Sequence, residues 1–463
     1  MKFDEKSLAK QLASIVGKEY VITDRELMEA YLRDETPEPV RPSAAKNLIL
    51  VKPASTGEVS KVMKAANAKK IPVFPVGGRT GLVGAAVPTV SGVVLSLERM
   101  NRIIVDSENL MVEAEAGVTL GDLFKAADAA GLFFPPHPGD EGAQVGGLVA
   151  TNAGGVRAVK YGVMRNYVKG AEAVLATGKV LHLGGKLIKD NAGYNLLQLI
   201  VGSEGTLCVI TKATIKLHPK SACSATVIVP FVSRHDALRA VQKILLSGVI
   251  PLAIEYVEPA EVNLSAEHLR EKWPVQAGKA QLIIILTADG EEELLGACEK
   301  VSSSCGEGGA GEPVLAETKE EQDRILKVRS NIYTALKPGL VDILDVTVPP
   351  ARLGDLMDAV GEIASKHNVR LPVYGHAGDG NLHVHVMKEK GKSPDYVAEV
   401  KAEVYAAGIR LGGVVTGEHG VGAIRVGQLA SAINAKELSL MREIKRVFDP
   451  NGVLNPGKVL HMD

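Results

Sequence analysis
Along the chain the spacing of apolar positions switches between two-residue alternation and helical spacing, and the switches outline a series of strands and helices. Residues 3–31 read as two short amphipathic helices, 37–42 as a loop and 47–51 as a strand. Thr56 is placed to cap a helix reaching about Ala68, with Glu58 in its first turn, where a negative charge suits the helix dipole. Apolar runs at 71–76, 93–97, 103–105 and 111–114 read as strands, and Thr119 as the cap of a helix through Ala130. Residues 174–176 and 180–183 flank Thr177-Gly178 in the manner of a hairpin. In 207–217, Ala213, Ile215 and Leu217 alternate with Lys212, Thr214 and Lys216, which predicts a half-exposed strand.

The texture changes after Ser224. A strand at 226–231 precedes a helix opened by Ser233 and Asp236, close to a capping box. Strands follow at 252–257 and 281–287, then a helix at 291–301, a Ser/Gly-rich loop at 302–311 and a long helix at 319–336. A strand at 341–348, a helix at 353–366, strands around Val373 and at 382–386, and helices at 394–408 and 437–448 complete the chain. Strands separated by helices, some arranged as hairpins, predict a second α+β layer with an antiparallel sheet.

A chain of 463 residues is enough for two to three domains. Lys+Arg 53 against Asp+Glu 54 argues against a nucleic-acid binder. No apolar run has the length of a membrane span and the N-terminus has no apolar signal core, so a cytoplasmic location is expected. Cys208, Cys223, Cys298 and Cys305 lack the spacing of a zinc ribbon or an iron–sulfur site and read as free thiols. Electrons leaving such a protein would pass to a partner's centre.

The 48 glycines cluster in motifs. One glycine-dense loop covers 75–86 and a second covers 145–155. Loops with so few β-carbons let backbone N–H groups close on an anion, and the pair reads as the cradle of one large phosphate-bearing cofactor. The first is not a P-loop, since no Lys-Ser/Thr follows its last glycine, and Gly78, Gly81 and Gly84 miss the G-x-G-x-x-G spacing of a nicotinamide site.

The second half carries histidines. In Tyr374-Gly375-His376-Ala377-Gly378-Asp379-Gly380-Asn381-Leu382-His383-Val384-His385, a strand puts His383 and His385 on one face, and Asp379-Gly380 supplies a reversal that brings His376 back towards His383. Converging neutral imidazoles suit a divalent metal, and Thr416-Gly417-Glu418-His419-Gly420 can supply the carboxylate. His385 is as suited to substrate binding as to ligation, and His137 to facing a substrate or to capping a turn.

These motifs, in this order, resemble the FAD-linked oxidases of vanillyl-alcohol oxidase type, specifically the D-2-hydroxyacid dehydrogenases. Residues 75–88, Gly146 to Gly155, Lys160-Tyr161-Gly162, Asn191 to Leu196, Gly202 to Leu207 and Leu454-Asn455-Pro456-Gly457-Lys458 carry the resemblance over nearly the whole chain. It implies an α+β protein: a vanillyl-alcohol oxidase type FAD-binding domain at 1–220, completed by 426–463, and a substrate or cap domain at 221–425 with an antiparallel sheet covered by helices. It implies FAD contacts from Val76, Gly77, Gly78, Arg79, Thr80, Gly81, Leu82, Gly84 and Ala85 at the pyrophosphate. Further contacts come from Pro138, Gly146, Gly147, Ala150, Asn152, Gly154, Gly155, Tyr161, Gly162, Glu204 and Gly205. Ile210 would lie near the adenine half, and Asn455 would return to the isoalloxazine. Arg79 stands where relatives with covalent flavin have His, so non-covalent FAD is expected.

The resemblance also implies metal ligation by His376, His383 and Glu418 (zinc, iron or manganese), His419 as the base and Arg329 as the substrate-carboxylate residue. Tyr333 and the apolar pair Ile343-Leu344 point to a small monocarboxylate rather than a dicarboxylate. The implied reaction takes a D-2-hydroxy acid, D-lactate first and glycolate second, to its 2-oxo acid by hydride transfer to flavin N5. Electrons would pass to a quinone, an iron–sulfur partner subunit or electron-transferring flavoprotein, and through such a partner the protein could sit at a membrane surface. The rival readings are an electron-relay subunit without catalysis, a metal-dependent hydrolase and a sugar or alcohol oxidase of the same fold. The histidine motifs speak against the first and the last.

Overall fold
The computed structural model describes residues 3–306, 308–391, 393 and 395–462. The expected loop at 302–311 and helix at 394–408 each include one position outside that set, Glu307 and Pro394.

Two larger sheets and a two-stranded one, Leu132–Phe133 with His218–Pro219, form the N-terminal half. In the first, the order is Val21–Ile22, Leu48–Val51, Gly92–Ser96, Val73–Val76, and the last three strands are parallel. The helix Thr56–Ala68 provides the crossover that parallel pairing needs, and its cap is Ser55, one residue before the Thr56 expected. Leu48–Val51 and Gly92–Ser96 are buried throughout, as strands covered on both faces must be. The N-terminal segment has one true helix, Glu5–Val16; the second expected helix shrinks to the turns Arg25–Met28 and Glu29–Tyr31.

The second sheet is antiparallel, in the order Ile103–Asp106, Met111–Glu115, Cys208–Lys216, Val168–Leu175, Val180–Gly184. Cys208–Lys216 is central, and every position but Lys212 and Lys216 is buried, so it is not the half-exposed strand its alternation suggested. The second glycine stretch is not a loop either. Val145–Thr151 is helical, and it ends because Asn152 turns left-handed at φ 50°, ψ 48°.

The C-terminal half is built on one seven-stranded sheet, in the order Val314–Ala316, Cys223–Phe231, Ala280–Ala288, Ala253–Val257, Val373–His376, Asn381–Met387, Leu340–Thr347. All its pairings are antiparallel. Helices Arg234–Leu246, Leu353–His367 and Tyr396–Arg410 close a large core over one face, with Ile254, Leu344, Val346, Val373, Leu382 and Val384. Pro259–Leu269, Lys319–Ser330 and Ile332–Leu336 cover part of the other face, where Tyr374 points. The expected helix at 319–336 is broken at Asn331, whose Nδ2 donates to the Lys327 carbonyl at 2.9 Å.

Alternation along these strands leaves Glu255, Asp345, His376 and His383 on the face opposite the large core. The last segment then returns to the N-terminal half. Ala435–Phe448 sends the Lys445 ammonium to the Thr206 carbonyl at 2.7 Å, and the Asn455 N–H donates to Val73 O at 2.8 Å. Among the described residues no helix is long and apolar enough to cross a membrane.

Candidate functional site
A cavity of about 1300 Å³, partly open to solvent, lies between the two glycine stretches. From the first stretch it is lined by Val76, Gly77, Gly78, Arg79, Thr80, Gly81, Leu82 and Ala85, and from the second by Gly146, Gly147, Ala150 and Gly154. Pro138, Glu204, Gly205, Ile210 and Asn455 complete the lining residues expected from sequence, and Glu418 and His419 close it from the C-terminal half. Asp34 and Gln144 line it too and were missed; neither belongs to a glycine motif.

Five expected contacts do not line the cavity and instead shape its frame. Gly84 has φ 71° and abuts Pro42, and Gly155 has φ 114° where a Cβ would strike the His137 carbonyl at 2.0 Å. Asn152 ends the helix and accepts the Arg165 N–H at 2.9 Å. Gly162 ends the turn Ala158–Tyr161, and the Tyr161 ring meets Phe133 and His218. His137 is also outside: it stacks on Phe124 at 5.2 Å, and burial, aided by Arg157, pushes its pKa down to about 4.

The C-terminal wall is made of side chains. His376 Nε2 and His383 Nε2 both approach Glu418 Oε1 at 3.3 Å, and His419 Nε2 lies 3.7 Å from the same oxygen. The His383 and His419 rings stack at 4.8 Å, while His376 stands perpendicular to His383. His385 is not part of this group: it stacks on Tyr374 at 4.7 Å and its Nδ1 faces the His383 carbonyl.

Two buried carboxylates behind the imidazoles carried no sequence motif. Glu255 Oε1 lies 2.7 Å from His376 Nδ1, and its other oxygen pairs with Arg329. Asp345 lies 3.6 Å from His383 Nδ1 and 3.9 Å from His419 Nδ1. The only hint was an acid in register between apolar neighbours, Ile254-Glu255-Tyr256 and Leu344-Asp345-Val346, which costs too much to bury without a purpose. Arg329 itself does not line the cavity; it leans over the Tyr374 ring at 5.0 Å and keeps a buried Nε without a partner. Tyr333 also lies elsewhere, donating its hydroxyl to the Glu35 carbonyl, and Ile343 and Leu344 are core.

The charges are tightly coupled. Burial raises the Glu418 carboxyl, but His376 and then His383 outweigh it and hold it well below the usual carboxylate range. Burial would lower His376, yet Glu255 and Glu418 hold it well above an ordinary imidazole. His419 goes the other way, to about 4, pushed by burial against the pull of Asp345.

The donors of His376, His383 and Glu418 lie within 4.8 Å of one another, two imidazole nitrogens and a carboxylate oxygen, a set that suits a divalent cation. The cavity in turn fits a dinucleotide. A Cβ on Gly81 or Gly147 would meet nothing within 4 Å, and Gln144 Oε1 and Asn455 Oδ1 are buried acceptors without partners.

Residues 48–184 match the family model described as "FAD binding domain", and 220–459 the one described as "FAD linked oxidases, C-terminal domain". The D-lactate dehydrogenase of Archaeoglobus fulgidus is 45% identical over 432 residues, 93% of this chain and 96% of the relative. Glycolate oxidase subunit GlcD of Bacillus subtilis is 33% identical over 467 residues, 99% and 97% of the two chains. Among solved structures, p-cresol methylhydroxylase superposes with a TM-score of 0.78 at 18% identity, and 4-ethylphenol oxidase of Gulosibacter chungangensis with 0.78 at 20%. Each of those matches covers 98% of this chain and 96% of the other, and shows a shared fold. The architecture is the expected α+β one, an FAD-binding domain of vanillyl-alcohol oxidase type with a cap of antiparallel sheet and helices. The chain therefore belongs to the FAD-linked oxidases, in the D-2-hydroxyacid dehydrogenase family that includes D-lactate dehydrogenases.

Proposed function
We propose that the protein oxidises a small D-2-hydroxy acid, D-lactate first and glycolate second, to the 2-oxo acid. The observation that carries this reading is that Glu418 and His419 line the same cavity as both glycine stretches, while Glu418 also meets His376 and His383. One substrate there can touch both. Residues 1–220 with 426–463 act as the FAD half and 221–425 as the substrate half.

Bound FAD supplies the acceptor for the substrate's α-hydrogen and its electron pair, and Arg79 in place of a histidine leaves it non-covalent. A divalent cation, zinc, iron or manganese, held by His376, His383 and Glu418 supplies Lewis acidity at the substrate hydroxyl. His419, whose imidazole burial keeps neutral, takes the hydroxyl proton at Nε2. Arg329 stands behind the cavity wall, paired with Glu255, and is the cation proposed for the substrate carboxylate, which it would reach by leaving that pair. Arg79, at the first glycine loop, is the one Lys or Arg among the described lining residues, so a second carboxylate would find no cation there. The names of the relatives, D-lactate dehydrogenase and glycolate oxidase subunit, agree with that. Electrons leave to electron-transferring flavoprotein, an iron–sulfur subunit or a quinone, the last at a membrane surface.

The test is anaerobic stopped-flow absorbance with D-lactate, L-lactate, glycolate and D-2-hydroxyglutarate. D-lactate should bleach the flavin fastest, with glycolate next. Fastest bleaching by D-2-hydroxyglutarate, or none by any of the four, would refute the proposal.

A further inference from the structure
Asp345 is fully buried in the strand Leu340–Thr347, and its two oxygens do different work. Oδ1 accepts from Asn381 Nδ2 at 2.7 Å and lies 3.6 Å from His383 Nδ1. Oδ2 accepts the Thr416 hydroxyl at 2.7 Å and the successive backbone N–H groups of Gly417, Glu418 and His419 at 2.9, 3.0 and 2.9 Å. The Arg425 guanidinium backs it at 3.7 Å. His383 Nδ1 and His419 Nδ1 are both buried without a hydrogen-bond partner, and each has the Asp345 carboxylate within ion-pair distance, 3.6 and 3.9 Å. Three consecutive amides on one carboxylate oxygen form an anion nest that fixes the course of the backbone.

We infer that Asp345 is the positioning residue that sets the metal ligand His383, the metal ligand Glu418 and the base His419 in one mutual geometry. The inference rests on the functional reading above. Asp345 touches neither the cavity nor a reacting atom; it acts through the loop 416–419 and through the far nitrogens of two imidazoles. Glu255 is the natural contrast. It is as deeply buried and backs the other ligand, His376, through a 2.7 Å contact, but none of its recorded contacts reaches the loop. Loss of either acid should loosen the metal ligands, since partners behind a ligating imidazole are worth about tenfold to a hundredfold in affinity. Only loss of Asp345 should also misplace His419.

The experiment compares FAD-loaded wild type, Asp345→Asn and Glu255→Gln after removal of divalent ions. Binding of Mn²⁺ and of Zn²⁺ is measured by competition with a chromophoric chelator. Flavin reduction by D-lactate is then followed at saturating metal. Both variants should lose about tenfold or more in metal affinity. Excess metal should recover reduction in Glu255→Gln, whereas Asp345→Asn should stay about tenfold slow or worse. Asp345→Asn with wild-type affinity, or with full recovery in excess metal, overturns the inference. If the wild type itself takes up neither ion and its reduction ignores both, the metal reading has failed, and this inference with it. Should Asp345→Asn not retain its flavin band, Thr416→Val tests the same clamp more gently. It removes one donor to Oδ2 and should slow reduction about threefold or more at saturating metal with unchanged metal affinity. An unslowed Thr416→Val then overturns the inference.

Discussion
On the FAD side of the cavity the chain shows mostly backbone: seven glycines line it, and Gly81 and Gly147 leave open space where side chains would stand. On the cap side it shows side chains, with three imidazoles gathered on one oxygen of Glu418 and two buried acids behind them. The first wall recognises by shape and by absence of bulk. The second works by charge, and each of its charged groups is positioned by another. A wall of the first kind should fail locally and by steric insult, and one of the second kind by loss of a single partner. The two should therefore be separable by mutation.

The largest separation is expected for Glu418→Ala. It removes the oxygen on which His376 and His383 converge, 3.3 Å from each, and leaves the glycine stretches intact. Flavin should stay bound with an ordinary absorption spectrum, while its reduction by D-lactate falls by about a hundredfold to a thousandfold, the scale of a few kcal/mol of Lewis-acid stabilisation. Stopped-flow reduction of the loaded variant checks it, and an unchanged rate would erase the distinction between the walls.

That contrast also explains what could be read from sequence. Glycine spacing is local, so residues 76–82 were legible as a cradle without any fold. His376 and His383 were legible because seven residues and one Asp-Gly reversal bring them together on neighbouring strands. Glu255 and Asp345 were not, because their partners stand 121 and 38 positions away and nothing in an isolated acid says what it will face. The helix Val145–Thr151 was misread as a loop because helix propensity counts Gly146 and Gly147 against it. Packing decides otherwise: Gly146 is small where a Cβ would lie 2.8 Å from the Ala116 Cβ. The pairing of Arg329 with Glu255 was not legible either, because it joins a helix to a strand 74 positions away.

The reverse separation should come from Gly147→Leu. A Cβ there meets no protein atom within 4 Å, so the folded apoprotein should tolerate the change, and the side chain enters the cavity. FAD affinity should fall by about tenfold to a hundredfold, the range for overfilling a shaped site. Metal affinity and the melting temperature of the apoprotein should stay where they were. Titrating apoprotein with FAD by fluorescence quenching measures the first, and calorimetry of the same sample the second. A variant that loses metal along with FAD would mean that the two walls do not act independently.

A smaller effect is expected at Lys458, in the segment that returns to close the FAD side. Its ammonium is buried and donates to the Val87 carbonyl at 2.8 Å, with no carboxylate among the described residues in contact, whereas the buried Arg329 and Arg425 of the cap stand against acids. Burial pushes the Lys458 pKa down to about 8 from 10.5, against the pull of Asp34 and Glu204. Below about pH 8 the ammonium is charged in both folded and unfolded chains, and the full desolvation penalty weighs on the fold. Between about pH 8 and 10.5 the folded protein releases this proton while the unfolded chain keeps it, so the unfolded state binds more protons and stability rises with pH. The rise from this one group is at most about 1.4 kcal/mol per pH unit. Lys458→Met should remove that contribution. In urea titrations of the FAD-loaded protein between pH 7.5 and 10, the stability difference between wild type and variant should shift steadily in favour of the wild type as pH rises. A difference that stays flat would mean that Lys458 is solvated or paired when the cofactor is bound, as Lys445 is paired with Asp449 on the same side.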